Sequence, residues 1–168
     1  MATQARSFST REIAVAVLAV LGVNAVGAAP AALFGSDTSW IDRPWFFPPE
    51  IAFPVVWTLL FSLMGISLFL VWREGVSKPA RTSTAEVSTA IFLFAVQLAL
   101  NVAWTPVFFG LQRPDLGLLV IGALWLAIVA TIVAFDRVSR LAAGLLVPYL
   151  AWVSFAFVLN YAIYAGVG

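Results

Sequence analysis

The sequence predicts an all-α integral membrane protein: a bundle of five transmembrane helices, with the N-terminus cytoplasmic and the C-terminus outside. Three observations carry that expectation. The chain is 62% hydrophobic and only 10% charged, with a mean hydropathy of +1.02, whereas soluble domains hold about 45–50% apolar and about 25% charged residues. Five apolar stretches each reach the roughly 20 residues that a helix needs to cross a hydrocarbon core about 30 Å thick. Nearly all the charge falls in the gaps between them.

The first span, 13–33, follows a basic lead and ends in an Ala/Gly-rich run near Ala28. Its apolar run exceeds the 7–15 residues of a signal-peptide core, which favours a retained helix over a cleaved leader. Residues 34–50 form the only long gap, and they hold Trp40, Trp45, Phe46, Phe47, Pro48 and Pro49. The second span, 51–72, sets Pro54, Trp57, Phe61 and Gly65 on one face. The third, 87–109, contains the stretch QLALNVAWTPVFFG at 97–110, and the fourth, 116–135, carries Ala123, Ala127 and Thr131 at four-residue spacing. The fifth, 141–165, aligns Tyr149, Trp152, Ala156 and Asn160. No internal repeat or linker divides the chain, so residues 1–168 read as one domain. An odd number of spans does not split into the equal halves of a repeat transporter.

Basic residues set the orientation. Arg6, Arg11, Arg73, Lys78, Arg81, Arg137 and Arg140 fall on the N-terminal side, leaving only Arg43 and Arg113 opposite. The positive-inside rule then puts the N-terminus in the cytoplasm. A prokaryotic plasma membrane is the expected location. The net charge of +1 argues against a nucleic-acid partner. With no cysteine and no histidine, the chain lacks thiolate nucleophiles, the usual zinc ligands and a histidine haem ligand. No metal site is expected.

The third span carries the most chemistry. At about 100° per residue, Gln97, Asn101, Trp104 and Phe108 share one face. Ala95, Ala99 and Ala103 occupy the other. The first face suits a flat, partly polar ligand; the second lets another helix approach closely. Packing within one subunit is the plain use of such a stripe, and a homodimer contact is the expectation here. The amides have two readings, since Gln97 and Asn101 either bond to a neighbouring helix or serve a ligand. Pro106 removes the partner of the Val102 carbonyl, which predicts a kink. Trp40 and Trp72 read as interfacial belt residues. Trp57, Trp104 and Trp152 lie deeper and at similar depth in the outer half of the bundle. With the aromatic loop above them, they predict a lidded pocket.

These blocks resemble the TspO/MBR family of tryptophan-rich sensory and translocator proteins. The resemblance rests on Arg43-Pro44 with Trp45 and Pro48-Pro49, on Trp57, on QLALNVAWTPVFFG, and on PYLAWVSFAFVLNY at 148–161. It implies a five-helix bundle, commonly dimeric, that binds porphyrin-type tetrapyrroles such as protoporphyrin IX. The family's cavity positions correspond to Pro48, Pro49, Trp57, Phe61, Gln97, Asn101, Trp104, Trp152 and Ala156. Phe61 stands where the family has a tyrosine. No basic residue follows Tyr149, Tyr161 or Tyr164, so the weak sterol motif of animal members is absent.

The leading expectation is a porphyrin receptor or carrier with no resident cofactor, taking a metal-free porphyrin. Arg43 and Arg113 are the candidate partners of its propionates. A second reading is light- and oxygen-dependent porphyrin breakdown with Trp57 and Trp152 as redox partners, since no nucleophile–base pair is present. A third, a transporter, is weakened by spans without charged residues. Small hydrophobic ligands, membrane lipid and a second copy of the chain are the expected partners.

Overall fold

The computed structural model describes residues 8–77 and 83–167. Lys78 and Arg81, like Arg6, lie outside the described residues. Every regular element among the described residues is helical: α1 (Thr10–Phe34), α2 (Ala52–Ser77), α3 (Thr84–Thr105), a π-helical turn (Pro106–Gly110), α4 (Pro114–Val138), α5 (Arg140–Leu145) and α6 (Val147–Ala165). Five helical segments are long and apolar enough to cross a membrane, with α5 and α6 together forming the fifth. In hydrocarbon each backbone polar group must find its partner within the segment, and only a helix does so locally.

Local chemistry sets the ends. Ser9 and Glu12 form a capping box on α1, the Glu12 N–H donating to Ser9 Oγ at 3.2 Å and the Ser9 N–H to Glu12 Oε2 at 2.8 Å. Ser83 and Glu86 repeat it on α3 at 3.2 and 2.9 Å. Such boxes satisfy orphan N–H groups that water or lipid headgroups would otherwise have to meet. Gly35, at φ 73°, ends α1 in a conformation that side chains resist.

Two local departures from the expected spans matter. Pro106 has no N–H to donate, and α3 passes directly into the π turn, so the expected kink takes that form. The fifth span is not one unbroken helix. Ser139 alone joins it to α4, capping α5 with its hydroxyl, and the chain restarts as α6 at Val147 with Pro148 in the first turn.

α1 packs on α2, while α4 lies between α3 and α6. At the end opposite the 35–51 loop the core is tight, with Met64, Val71, Ala90, Phe135 and Ala142 all fully buried. Phe94 and Phe135 stack there at 5.9 Å. Ser67 donates to the Ala142 carbonyl at 2.7 Å, linking α2 to α5. Thr131 is buried and returns its hydroxyl to Ala127, so the α4 small-residue stripe turns at least partly inward. The Glu12–Arg73 pair, at 2.7 Å, ties α1 to α2 at the same end.

Candidate functional site

At the lid end the helices separate around a cavity of about 600 Å³. Ligand sites typically occupy about 300–1,000 Å³. Its walls come from α1, α2, α3 with the π turn, α4 and α6, and its roof from the loop between α1 and α2.

The structure brings most of the expected residues to this wall. Trp57, Phe61, Asn101, Trp104, Phe108, Trp152 and Ala156 all line it. Trp57 stacks on Phe61 at 5.2 Å and meets Tyr149 edge-on at 6.2 Å. Trp104 stacks on Phe108 at 4.7 Å. The two stacks make flat aromatic walls on α2 and on the end of α3. Phe61, having no hydroxyl, sits with its ring against the backbone of Gly27 on α1, where any side chain at Gly27 would collide with it.

The polar groups are held by cross-helix bonds. Asn101 donates to the Tyr149 hydroxyl at 3.0 Å, answering its alternative readings with a neighbouring-helix bond on a cavity-lining residue. Trp104 Nε1 donates to Asn160 Oδ1 at 3.2 Å, and Asn160 in turn donates to the Pro114 carbonyl at 2.9 Å. One amide thus braces α3, α4 and α6. Trp152 differs: its Nε1 is buried and unpartnered. A buried donor without an acceptor costs about 1–3 kcal/mol.

Other expected residues lie elsewhere. Gln97 does not reach the wall. It sits one turn deeper on α3 than Asn101, 1% exposed, with neither amide atom hydrogen-bonded. Helical phase put it on the right face, but its depth puts it below the cavity floor. Pro48 and Pro49 belong to the roof without lining the cavity. Arg113 is also away from it, clasping Asp115 through Nε at 2.8 Å and Nη2 at 2.6 Å. That carboxylate raises the guanidinium pKa, mainly through the hydrogen bonds. Arg43 is nearer but engaged: Nη2 donates to Thr38 Oγ1 and Glu50 Oε1, each at 2.6 Å, and Thr38 and Glu50 do line the cavity.

The roof is pinned by rings. Trp40 packs on Phe108 at 5.5 Å, Phe46 on Phe155 at 6.4 Å and Phe47 on Phe53 at 5.7 Å. Arg43 also covers the Phe47 ring at 5.1 Å. Trp40 is therefore a latch on the π turn rather than a free belt residue. Its Nε1 donates to the Asp37 carbonyl at 2.9 Å. The Asp37 carboxylate accepts from the Ser39 N–H and hydroxyl at 2.9 and 2.7 Å, and these bonds hold its pKa below the ordinary value.

Sequence reasoning missed the α1 wall entirely: Asn24, Gly27, Ala28 and Ala31 line the cavity. The available signal was Asn24, the one amide in an otherwise apolar span, followed at helical spacing by small residues. Ala95 and Ala99 are exposed and Ala103 is half-buried, so that face of α3 is left open in the single chain.

The TspO/MBR family profile matches residues 14–165. The chain is 46% identical over 143 residues to the tryptophan-rich protein TspO of Chlorobaculum tepidum, covering 83% of this chain and 87% of the relative. It is 40% identical to the protein CrtK of Rhodobacter capsulatus over 83% and 85% of the two chains. Over 77% and 76%, it is 39% identical to the translocator protein of Homo sapiens. With five membrane-spanning helical segments and a match along nearly its whole length, the chain is a multi-pass membrane protein and belongs to the TspO/MBR family.

Proposed function

We propose that the protein is a receptor or carrier for porphyrin-type tetrapyrroles, with protoporphyrin IX, free of metal, as its ligand. The observation that carries this reading is the cavity wall itself. It offers two flat aromatic stacks, Trp57–Phe61 and Trp104–Phe108, with Trp152 beside them on the wall. A macrocycle stacks on such rings at about 0.5–1.5 kcal/mol per aromatic pair beyond burial. The absence of histidine removes the commonest axial ligand for an iron porphyrin. A relative from Cereibacter sphaeroides, 38% identical over 122 residues, is named a tryptophan-rich sensory protein. That name supports a sensory or regulatory role for the bound state.

The deciding experiment is a tryptophan-fluorescence titration with protoporphyrin IX on the wild type and on Trp57→Phe, Trp104→Phe and Trp152→Phe. Saturable quenching that weakens in the variants is expected; unsaturable quenching, unchanged in all three, ends the porphyrin reading. Arg43 is the nearer candidate for a propionate, which would compete with Glu50 for its guanidinium. Arg113, clasped by Asp115, is the weaker one. Reversing both charges should lower porphyrin affinity.

The protein resides in a prokaryotic plasma membrane in this reading, N-terminus inside, and pairs through the open Ala95, Ala99 and Ala103 face of α3. Ala99→Leu should dissociate the detergent-stable dimer; an unchanged oligomer rejects that contact. Trp57 and Trp152 lining one cavity also supports a second reading, oxidative breakdown of the bound porphyrin under light. Breakdown that proceeds without oxygen, or without those two tryptophans, would exclude it.

A further inference from the structure

The cavity has a rim on two sides: at the roots of the lid, where Ser36, Asp37 and Glu50 line it and are exposed, and along the seam between α1 and α2. Of the residues that line it, Ala28 and Ala31 of α1 and Pro54 and Thr58 of α2 are also exposed on the outside of the bundle. A residue that borders both a cavity and the exterior marks its rim. All four lie within membrane-spanning helices, so the exterior they face is lipid. Asn24, Ala28 and Ala31 follow one another at the four- and three-residue spacing of a single helical face, as do Pro54, Thr58 and Phe61 opposite. The seam between α1 and α2 is therefore a slot near the lid end.

The geometry explains why the slot is there. Deeper down, the two helices touch backbone to backbone: a side chain on Gly65 would lie 2.5 Å from Val20 Cα and 2.9 Å from the Ala19 carbonyl. One turn closer to the lid, the Phe61 ring occupies the gap against Gly27. Asn24 Nδ2 bridges to Ser62 Oγ at 3.2 Å at this level. Above that wedge, α1 offers only Ala28 and Ala31, too short to reach across. The hydroxyls on the α2 side are satisfied within their own helix, Thr58 donating to Pro54 O at 2.8 Å and Ser62 to Thr58 O at 2.7 Å. They leave no unpaired donor to deter an apolar molecule. The roof, in contrast, is latched by three ring contacts and the Arg43–Glu50 pair.

We infer that ligand enters from the bilayer, sideways between α1 and α2, and not from water through the lid. The slot's upper rim reaches the roots of the lid, where Asp37, Thr38 and Glu50 line the cavity. The ligand class is then a membrane-dissolved amphiphile: an apolar body that crosses the slot, with its polar end kept at the level of the lid. This rests on the reading of the cavity as a ligand site, and it specifies the route by which that site fills.

The chain has no native cysteine, so Ala156→Cys places a single thiol on the far cavity wall. The variant is reconstituted in phosphatidylcholine vesicles and labelled with pyrenyl maleimide dissolved in the bilayer, or with a charged methanethiosulfonate in the buffer. The bilayer reagent should react faster. Adding Ala28→Trp, or separately Thr58→Trp, should slow it about tenfold, the effect of a barrier raised by about 1.4 kcal/mol. Arg43→Ala should leave it unchanged. An apolar labelling rate indifferent to both plugs, or a faster charged reagent that Arg43→Ala accelerates further, overturns the lateral route. Protoporphyrin IX provides the second arm. The plugs should slow both its association and its dissociation, whereas damage to the fold would speed dissociation. Porphyrin rates untouched by plugs that slow the maleimide also overturn the route. Lateral labelling by maleimide with no porphyrin binding in any form leaves the slot standing and rejects the porphyrin reading instead.

Discussion

The two ends of the bundle are built on opposite principles. Away from the lid, Met64, Phe94, Phe135 and Ala142 fill the space between helices, and the buried Ser67 hydroxyl has its acceptor. At the lid end the same helices hold an open cavity, an unpartnered indole donor and a π turn in place of the last turn of α3, with the unbonded amide of Gln97 buried just beneath the floor. The difference locates stability in one half and binding in the other. Interiors packed to crystal density tolerate no void. A site must keep one, with polar groups left for a ligand to satisfy, so proteins concentrate such departures where they function.

The sharpest way to break this contrast is to remove a ring from the closed half. Phe135→Ala should cost about 3–5 kcal/mol of stability, seen as earlier unfolding in a denaturing-detergent titration. Porphyrin affinity of the fraction still folded should change little. A comparable loss of affinity would mean that the halves are not separable.

Next in size is the converse change. Trp57→Ala removes the face of one aromatic stack and its burial against ligand, and should weaken protoporphyrin binding by roughly 2 kcal/mol, about thirtyfold. Its stability loss should fall below that of Phe135→Ala because Trp57 already borders a void. Isothermal binding beside the same unfolding titration checks both.

Trp152→Phe is subtler, since it keeps a ring and deletes the unpartnered N–H. Porphyrin affinity should fall less than with Trp57→Ala, while the empty protein should be no less stable, having lost an unsatisfied donor. Reduced stability with unchanged affinity would assign that N–H to structure instead.

The smallest effect concerns pH at the lid. The Asp37 carboxyl is held below its ordinary pKa by the Ser39 N–H and hydroxyl. A depressed folded pKa contributes stability that is complete above the unfolded value of about 3.9 and is lost as pH falls through the folded one. Lid order, followed by Trp40 emission, should therefore be flat from neutral pH to about pH 5 and decline only below about pH 4. Asp37→Asn should remove that acid limb.

The spans, their order and the long aromatic loop were legible in the sequence because each depends on local composition and on a bilayer thickness common to all membrane proteins. Most of the α2, α3 and α6 wall was legible too, since helical phase alone aligns Trp57 with Phe61 and Asn101 with Trp104 and Phe108. Phase does not give depth, however. Gln97 shares a face with Asn101 yet lies below the floor, and Arg113 was placed near the mouth by topology although Asp115 holds it elsewhere. The α1 wall stayed hidden because alanine and glycine carry no signature of their own. They line a cavity only because Gly65 and Phe61 set where α1 and α2 touch and where they part.

By itself, then, the sequence determined that this chain crosses a membrane five times, and which faces of its helices bear rings and amides. Apolar content and periodicity act within one segment at a time, so they need no partner to be read. The tertiary structure alone decided which buried polar groups go unpaired, that both candidate arginines are already paired, and where the cavity opens. The first and the last depend on the distance between residues far apart in the chain, and that distance is set by how the helices pack.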